Sequence, residues 1–95
     1  SRGDDTNRVA RCARYLTAKG ADERLLDPVA RFHMGNGARL WRLLPGADES
    51  SRGRERSFGI MANYRYFPED LGANKNLLAG GSQALGQEVE ALLDR

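Results

Sequence analysis

The chain has 95 residues, 40% of them hydrophobic and 29% charged, with a formal charge of +2 at pH 7. These values suit one small soluble domain with a modest core; they exclude a disordered chain, and no apolar run approaches a membrane span. One cysteine, Cys12, and one histidine, His33, exclude an internal disulfide and lack the paired ligand spacing of a structural zinc site. The small net charge is weak evidence for polyanion binding, because net charge alone shows no clustered basic face of the kind that grips nucleic acid. A lone thiol fits a reducing cytoplasm, and no basic, apolar leader marks the chain for export. The loose start Ser1-Arg2-Gly3-Asp4-Asp5, without an initiator methionine, reads as processing or a cut from something longer.

In chain order, Thr6 to Lys19 carries Val9, Cys12, Ala13 and Leu16 at the spacing of one helical face, which predicts a helix ended by Gly20 with Lys19 in its last turn. Cys12 on that stripe reads as a buried small hydrophobe, not a nucleophile. Ala21 to Leu25 is a short connection. A second helix is then fully punctuated: Asp27 as its cap, Pro28 in its first position and Gly35-Asn36-Gly37 as its stop. Val29, Phe32 and His33 fall on one face of it. A lone histidine on an apolar face is more often a core residue than a base, yet the last turn and the glycine-flanked stop leave room for a substrate beside the ring.

Ala38 to Leu44 predicts a strand with Ala38, Leu40, Arg42 and Leu44 on one face and Arg39, Trp41 and Leu43 on the other. Pro45-Gly46 ends it, and Ala47 to Arg56 has the composition of a surface loop, in which Arg52, Arg54 and Arg56 are either phosphate ligands or solvated charges. Ser57 to Phe67 predicts a long strand for the middle of a sheet, with Phe58, Ile60, Ala62, Tyr64 and Tyr66 on one face. Pro68 to Asn74 reads as turn and loop. A last helix follows, capped by Ser82 and carrying Leu85, Val89, Leu92 and Leu93 toward the sheet. No P-loop, dinucleotide fingerprint or nucleophile elbow is present.

Several long stretches resemble one family. Asp27-Pro28-Val29-Ala30-Arg31-Phe32-His33, then Asn36-Gly37-Ala38 with Leu40-Trp41-Arg42, then Gly59-Ile60-Met61-Ala62-Asn63-Tyr64-Arg65-Tyr66-Phe67, are similar to the C-terminal end of malonyl-CoA decarboxylase, and Cys12-Ala13-Arg14-Tyr15-Leu16 matches in kind. The resemblance runs from about Val9 to the last helix. It implies an α/β (α+β) fold, a partial GNAT-like (acyl-CoA N-acyltransferase-like) domain with a mixed sheet flanked by helices. Residues 1–95 are then the C-terminal portion of the catalytic domain.

The activity implied is that of a carboxy-lyase of fatty acid metabolism: malonyl-CoA loses carbon dioxide to give acetyl-CoA without a metal or organic cofactor, coenzyme A being part of the substrate. The resemblance makes His33 the histidine of a serine and histidine pair, with Asn36, Asn63 and Tyr64 as lesser candidates for lining the substrate. The family's serine lies upstream of this chain; Ser50, Ser51 and Ser57 fall in the wrong part of the pattern. The isolated chain is therefore expected to be inactive. Its implied partners are malonyl-CoA, the upstream part of the same enzyme and further copies joined through a helical domain; no nucleic acid or membrane is expected. Pro45-Gly46-Ala47-Asp48 departs from the aromatic-containing run of the family. A non-catalytic GNAT-like binding or assembly module is the alternative, and nucleic-acid binding through Arg52 to Arg56 a third reading.

Overall fold

A computed structural model of the chain describes residues 2–45, 54–57 and 59–94. Helix α1 spans Arg2–Thr17, α2 Pro28–Gly35, strand β1 Arg39–Pro45, β2 Arg54–Ser57, β3 Ile60–Arg65, a 3-10 turn Pro68–Asp70, α3 Leu71–Ala79 and α4 Gln87–Leu93. The helical face of α1 is the expected one: Val9, Cys12, Ala13 and Leu16 are all buried. Its bounds differ. The helix already includes Arg2 to Asp5, and it stops at Thr17, so Lys19 lies beyond the last turn and instead pairs with Leu25 in an isolated bridge.

The sheet has the order β1-β3-β2 with both ladders antiparallel, so β3 is central, as its alternating pattern predicts. The expected 57–67 strand is in fact two elements. Ser57 ends β2, Gly59 turns with a φ of 72°, and β3 begins at Ile60. Arg54 and Arg56, expected in a loop, belong to edge strand β2; Arg52 and the rest of 46–53 lie outside the described residues. On β1 the register slips between Leu40 and Arg42. That bulge places Leu40 and Leu43, three residues apart, together in the core and overturns the simple alternation. Arg42 is left exposed, 2.7 Å from Glu88 of α4.

Segment Ala84–Gly86 runs along the outer edge of β1. Leu40 N donates to Ala84 O at 3.0 Å, Gly86 N donates to Leu40 O at 2.8 Å, and Leu40 bridges Leu85 in the parallel sense. Gly86, not Ser82, caps α4, without a side-chain bond; a Cβ there would collide with the Trp41 carbonyl. Val89 is buried, with Leu85, Leu92 and Leu93 packed against the core. The α+β arrangement is consistent with the partial GNAT-like fold that the resemblance implies.

The stretch expected to be a loop, Pro68 to Asn74, is instead the 3-10 turn running into α3. No side chain caps α3. It is held from outside: the buried Asn74 donates from Nδ2 to Gly37 O at 3.0 Å, and Leu71 sits against Gly37. A helix whose stabilising contacts come from a distant turn leaves few local signals.

Candidate active site around His33

Helix α2 is built as its punctuation requires. Asp27 accepts from Ala30 N through Oδ2 at 2.9 Å and from the Tyr15 hydroxyl through Oδ1 at 3.2 Å, so one carboxylate caps α2 and ties it to α1. At the other end Ala38 N donates to His33 O and Gly37 N to Met34 O, both at 3.0 Å, with Gly37 at a φ of 94°. This is the Schellman arrangement, and it depends on glycine at Gly37. The buried face of α2 is Ala30 and Met34, four residues apart. Val29, Phe32 and His33 were expected to share the apolar face; Val29 and His33 are only half-buried, and Phe32 is 64% exposed.

His33 therefore stands at the edge of the core, with its backbone fixed by the helix stop and its ring fixed by β3. The imidazole stacks on Tyr64 with centroids 4.6 Å apart and planes 17° from parallel. Its Nδ1 lies 2.8 Å from the Tyr66 hydroxyl. Phe32 meets the ring edge-on at 5.3 Å. Tyr64 and Tyr66 reach one ring because they are two apart in an extended chain and share a side. Partial burial pushes the Tyr66 phenol above its usual range, so it keeps its proton at neutral pH.

Of the residues expected to line the site, Tyr64 packs directly on His33. Asn36 is the residue after α2; its Nδ2 donates to Phe32 O at 2.9 Å, so part of the amide is committed to the helix end. Asn63 lies, as its alternation predicts, on the face of β3 opposite Tyr64, in register with Arg42 and Arg54. Sequence reasoning placed Tyr66 on the right face but gave it no role; its spacing from Tyr64 was the available signal. Trp41 belongs to a separate outer cluster, edge-on to Phe67 at 5.4 Å, with the Arg65 guanidinium over both rings. Among the described residues no three His, Cys, Asp or Glu side chains converge as metal ligands, and no helix is long and apolar enough to cross a membrane.

A histidine with one ring nitrogen held by a phenol is a candidate acid–base group, and the class it defines is an α+β domain with a histidine-centred candidate site. The family follows from comparison. Residues 5–95 match the model of the malonyl-CoA decarboxylase C-terminal domain, and the chain belongs to that family. It is 46% identical over 69 residues to the mitochondrial malonyl-CoA decarboxylase of Anser anser anser, a match covering 73% of this chain and 14% of that protein.

Solved malonyl-CoA decarboxylases are similar in structure. That of Cupriavidus metallidurans gives a TM-score of 0.79 at 41% identity, covering 93% of this chain and 22% of that one. That of Rhodopseudomonas palustris gives 0.77 at 44%, covering 93% and 21%. The chain thus spans less than a quarter of each of these proteins. The goose protein's name is mitochondrial, so the expected cytoplasmic setting gains no support.

Proposed function

We propose that residues 1–95 form the C-terminal portion of a malonyl-CoA decarboxylase catalytic domain and work as part of a larger carboxy-lyase that converts malonyl-CoA to acetyl-CoA and carbon dioxide. In this reading His33 is the histidine of a serine and histidine pair whose serine lies outside these residues. The observation that carries it is the 2.8 Å contact between His33 Nδ1 and the Tyr66 hydroxyl, in a chain of this family.

When the terminal carbon–carbon bond breaks, its electron pair remains on the thioester as an enolate and carbon dioxide departs. The site then needs a donor at the developing oxyanion and a proton for carbon. A phenol that keeps its proton and donates to Nδ1 selects the tautomer with hydrogen on Nε2. Either that N–H donates to the thioester oxygen, or the ring, once protonated by solvent, passes the added proton through the serine to carbon and returns to neutral imidazole. Tyr64 supplies a wall against which the imidazole keeps its plane, and Asn36 lines the approach. No metal or organic cofactor enters; the upstream part of the enzyme supplies the serine and the grip on the coenzyme, and a helical domain joins copies.

The test is a coupled acetyl-CoA assay on the intact enzyme with His33→Ala. Loss of general acid catalysis lowers turnover by about 10² to 10⁴. Near-wild-type turnover would falsify the role of His33, whereas no turnover by the unsubstituted chain joined to its upstream part would favour the non-catalytic assembly module.

A further inference from the structure

The opposite side of α2 holds a second feature. Arg31 and Gly35, four residues apart, share a face about 200° around the helix from His33. That face opens on a pocket of about 390 Å³ between the 18–26 loop, α2 and α3, with Lys19, Arg24, Arg31 and Lys75 around it and, among the described residues, Glu23 as its one carboxylate. Leu25 and Leu78 give it an apolar floor.

The loop that presents these cations is closed on itself. Gly20 N donates to Arg24 O at 2.8 Å and Leu26 N to Ala18 O at 2.9 Å. Lys19 spends one donor on Gly81 O at 2.7 Å and so joins the loop to the end of α3. The other three cations have no such duty. Among the described residues the ion pairs are Arg39 with Asp70 and Arg42 with Glu88, and neither involves the pocket. Four like charges around one small cavity repel each other, moderated by solvent because Lys19, Arg24 and Lys75 are exposed, and an anion between them relieves that repulsion.

We propose that this pocket binds a phosphate monoester dianion. Such a group carries a charge of about −1.5 to −2 at pH 7 with three strong acceptor oxygens, matching two guanidiniums and an ammonium better than a single carboxylate does. The volume suits a small ligand and excludes a helix, and the floor accepts the apolar face of a sugar or base. The phosphate is either the 3′-phosphate of a coenzyme A-type substrate or a group on a separate metabolite.

The experiment is calorimetric titration of the intact protein with inorganic phosphate and with adenosine 3′,5′-bisphosphate, against chloride at matched ionic strength. Saturable binding is expected, and Arg31→Gln and Lys75→Gln each weaken it about tenfold, the loss of one charge-assisted contact. Glu23→Gln tightens it by removing the opposing charge. Gly35→Glu abolishes it; a Cβ at Gly35 meets nothing within 4 Å, so the new carboxylate enters open space without disturbing the fold. Circular dichroism checks that each variant is folded. Competition between the bisphosphate and coenzyme A assigns the phosphate to the coenzyme; phosphate binding unchanged by saturating coenzyme A assigns it to a separate metabolite. Binding no stronger than that of chloride, as when an acidic segment of the protein fills the pocket, overturns the proposal. So does binding that ignores all four substitutions.

Discussion

Helices α2 and α3 lie against each other and are specified in opposite ways. Helix α2 carries its own instructions: Asp27 caps it, Pro28 opens it and Gly37 ends it. Helix α3 has no capping side chain, holds Gly72 and two asparagines, and has a single buried residue, Asn74, whose amide reaches the carbonyl of Gly37. One helix is written locally; the other exists because the first one's stop gives it a partner. The candidate histidine is on the locally written helix, where its orientation depends least on the rest of the chain.

The largest way to break that relation is Gly37→Ala. The substitution puts a side chain at a φ of 94° and a Cβ 2.7 Å from the Leu71 carbonyl, so it damages the end of α2 and the seat of α3 together. A loss of at least about 2 kcal/mol is expected, near 10 °C in the unfolding midpoint of a domain this size. A midpoint within 2 °C of wild type, in round terms, would separate the two helices energetically.

Next is Asn74→Ala, which leaves the Gly37 carbonyl without its buried donor and costs about 1–3 kcal/mol. Hydrogen exchange should show α3 opening before α2; simultaneous opening would mean that α3 is not the dependent partner. Asp27→Ala follows at about 1 kcal/mol, for the lost cap. Its signature is faster exchange in the first turn of α2, with α3 unaffected.

Tyr66→Phe is a test of the site more than of the fold. Stability should change by no more than about 0.5 kcal/mol, because Tyr66 is 43% exposed, while turnover in the intact enzyme falls about tenfold through loss of the preferred tautomer. A change confined to KM, with kcat kept, would assign Tyr66 to substrate binding instead.

The smallest effect is alkaline. Tyr66, through desolvation, and Tyr15, through desolvation and the neighbouring Asp27 carboxylate, both titrate above the usual 10.0 when folded. The folded state then holds these protons longer than the unfolded one, so their contribution is complete below pH 10 and is lost as pH rises through the folded values. The unfolding midpoint should decline above pH 10, less steeply in Tyr15→Phe; an unchanged slope would remove Tyr15 from this account.

What the sequence made legible follows the same division. The buried stripe of α1, both ends of α2 and the central place of β3 rest on spacing and on capping chemistry, which are local. The faces of β1 were misassigned because the bulge after Leu40 is decided by pairing with β3. Residues 57–67 hid a turn because their alternation continues across Gly59, whose positive φ leaves no mark on a polarity pattern. Helix α3 was missed because its reason for existing is 37 residues away, at Gly37. Within the site, His33 was raised by its place in the last turn before a glycine-flanked stop and given its role by family resemblance, with Tyr64 a lesser candidate, whereas the bond to Tyr66 needed the geometry of the end of β3 relative to α2.

Cys12, the chain's only thiol, is fully buried among the residues that join α1 to the sheet. A thiol in that position reacts with a labelling reagent only while the packing between α1 and the sheet is open. Its modification rate, divided by that of an exposed cysteine, is therefore a built-in gauge of how often the core comes apart, readable without adding a probe to this part of the protein.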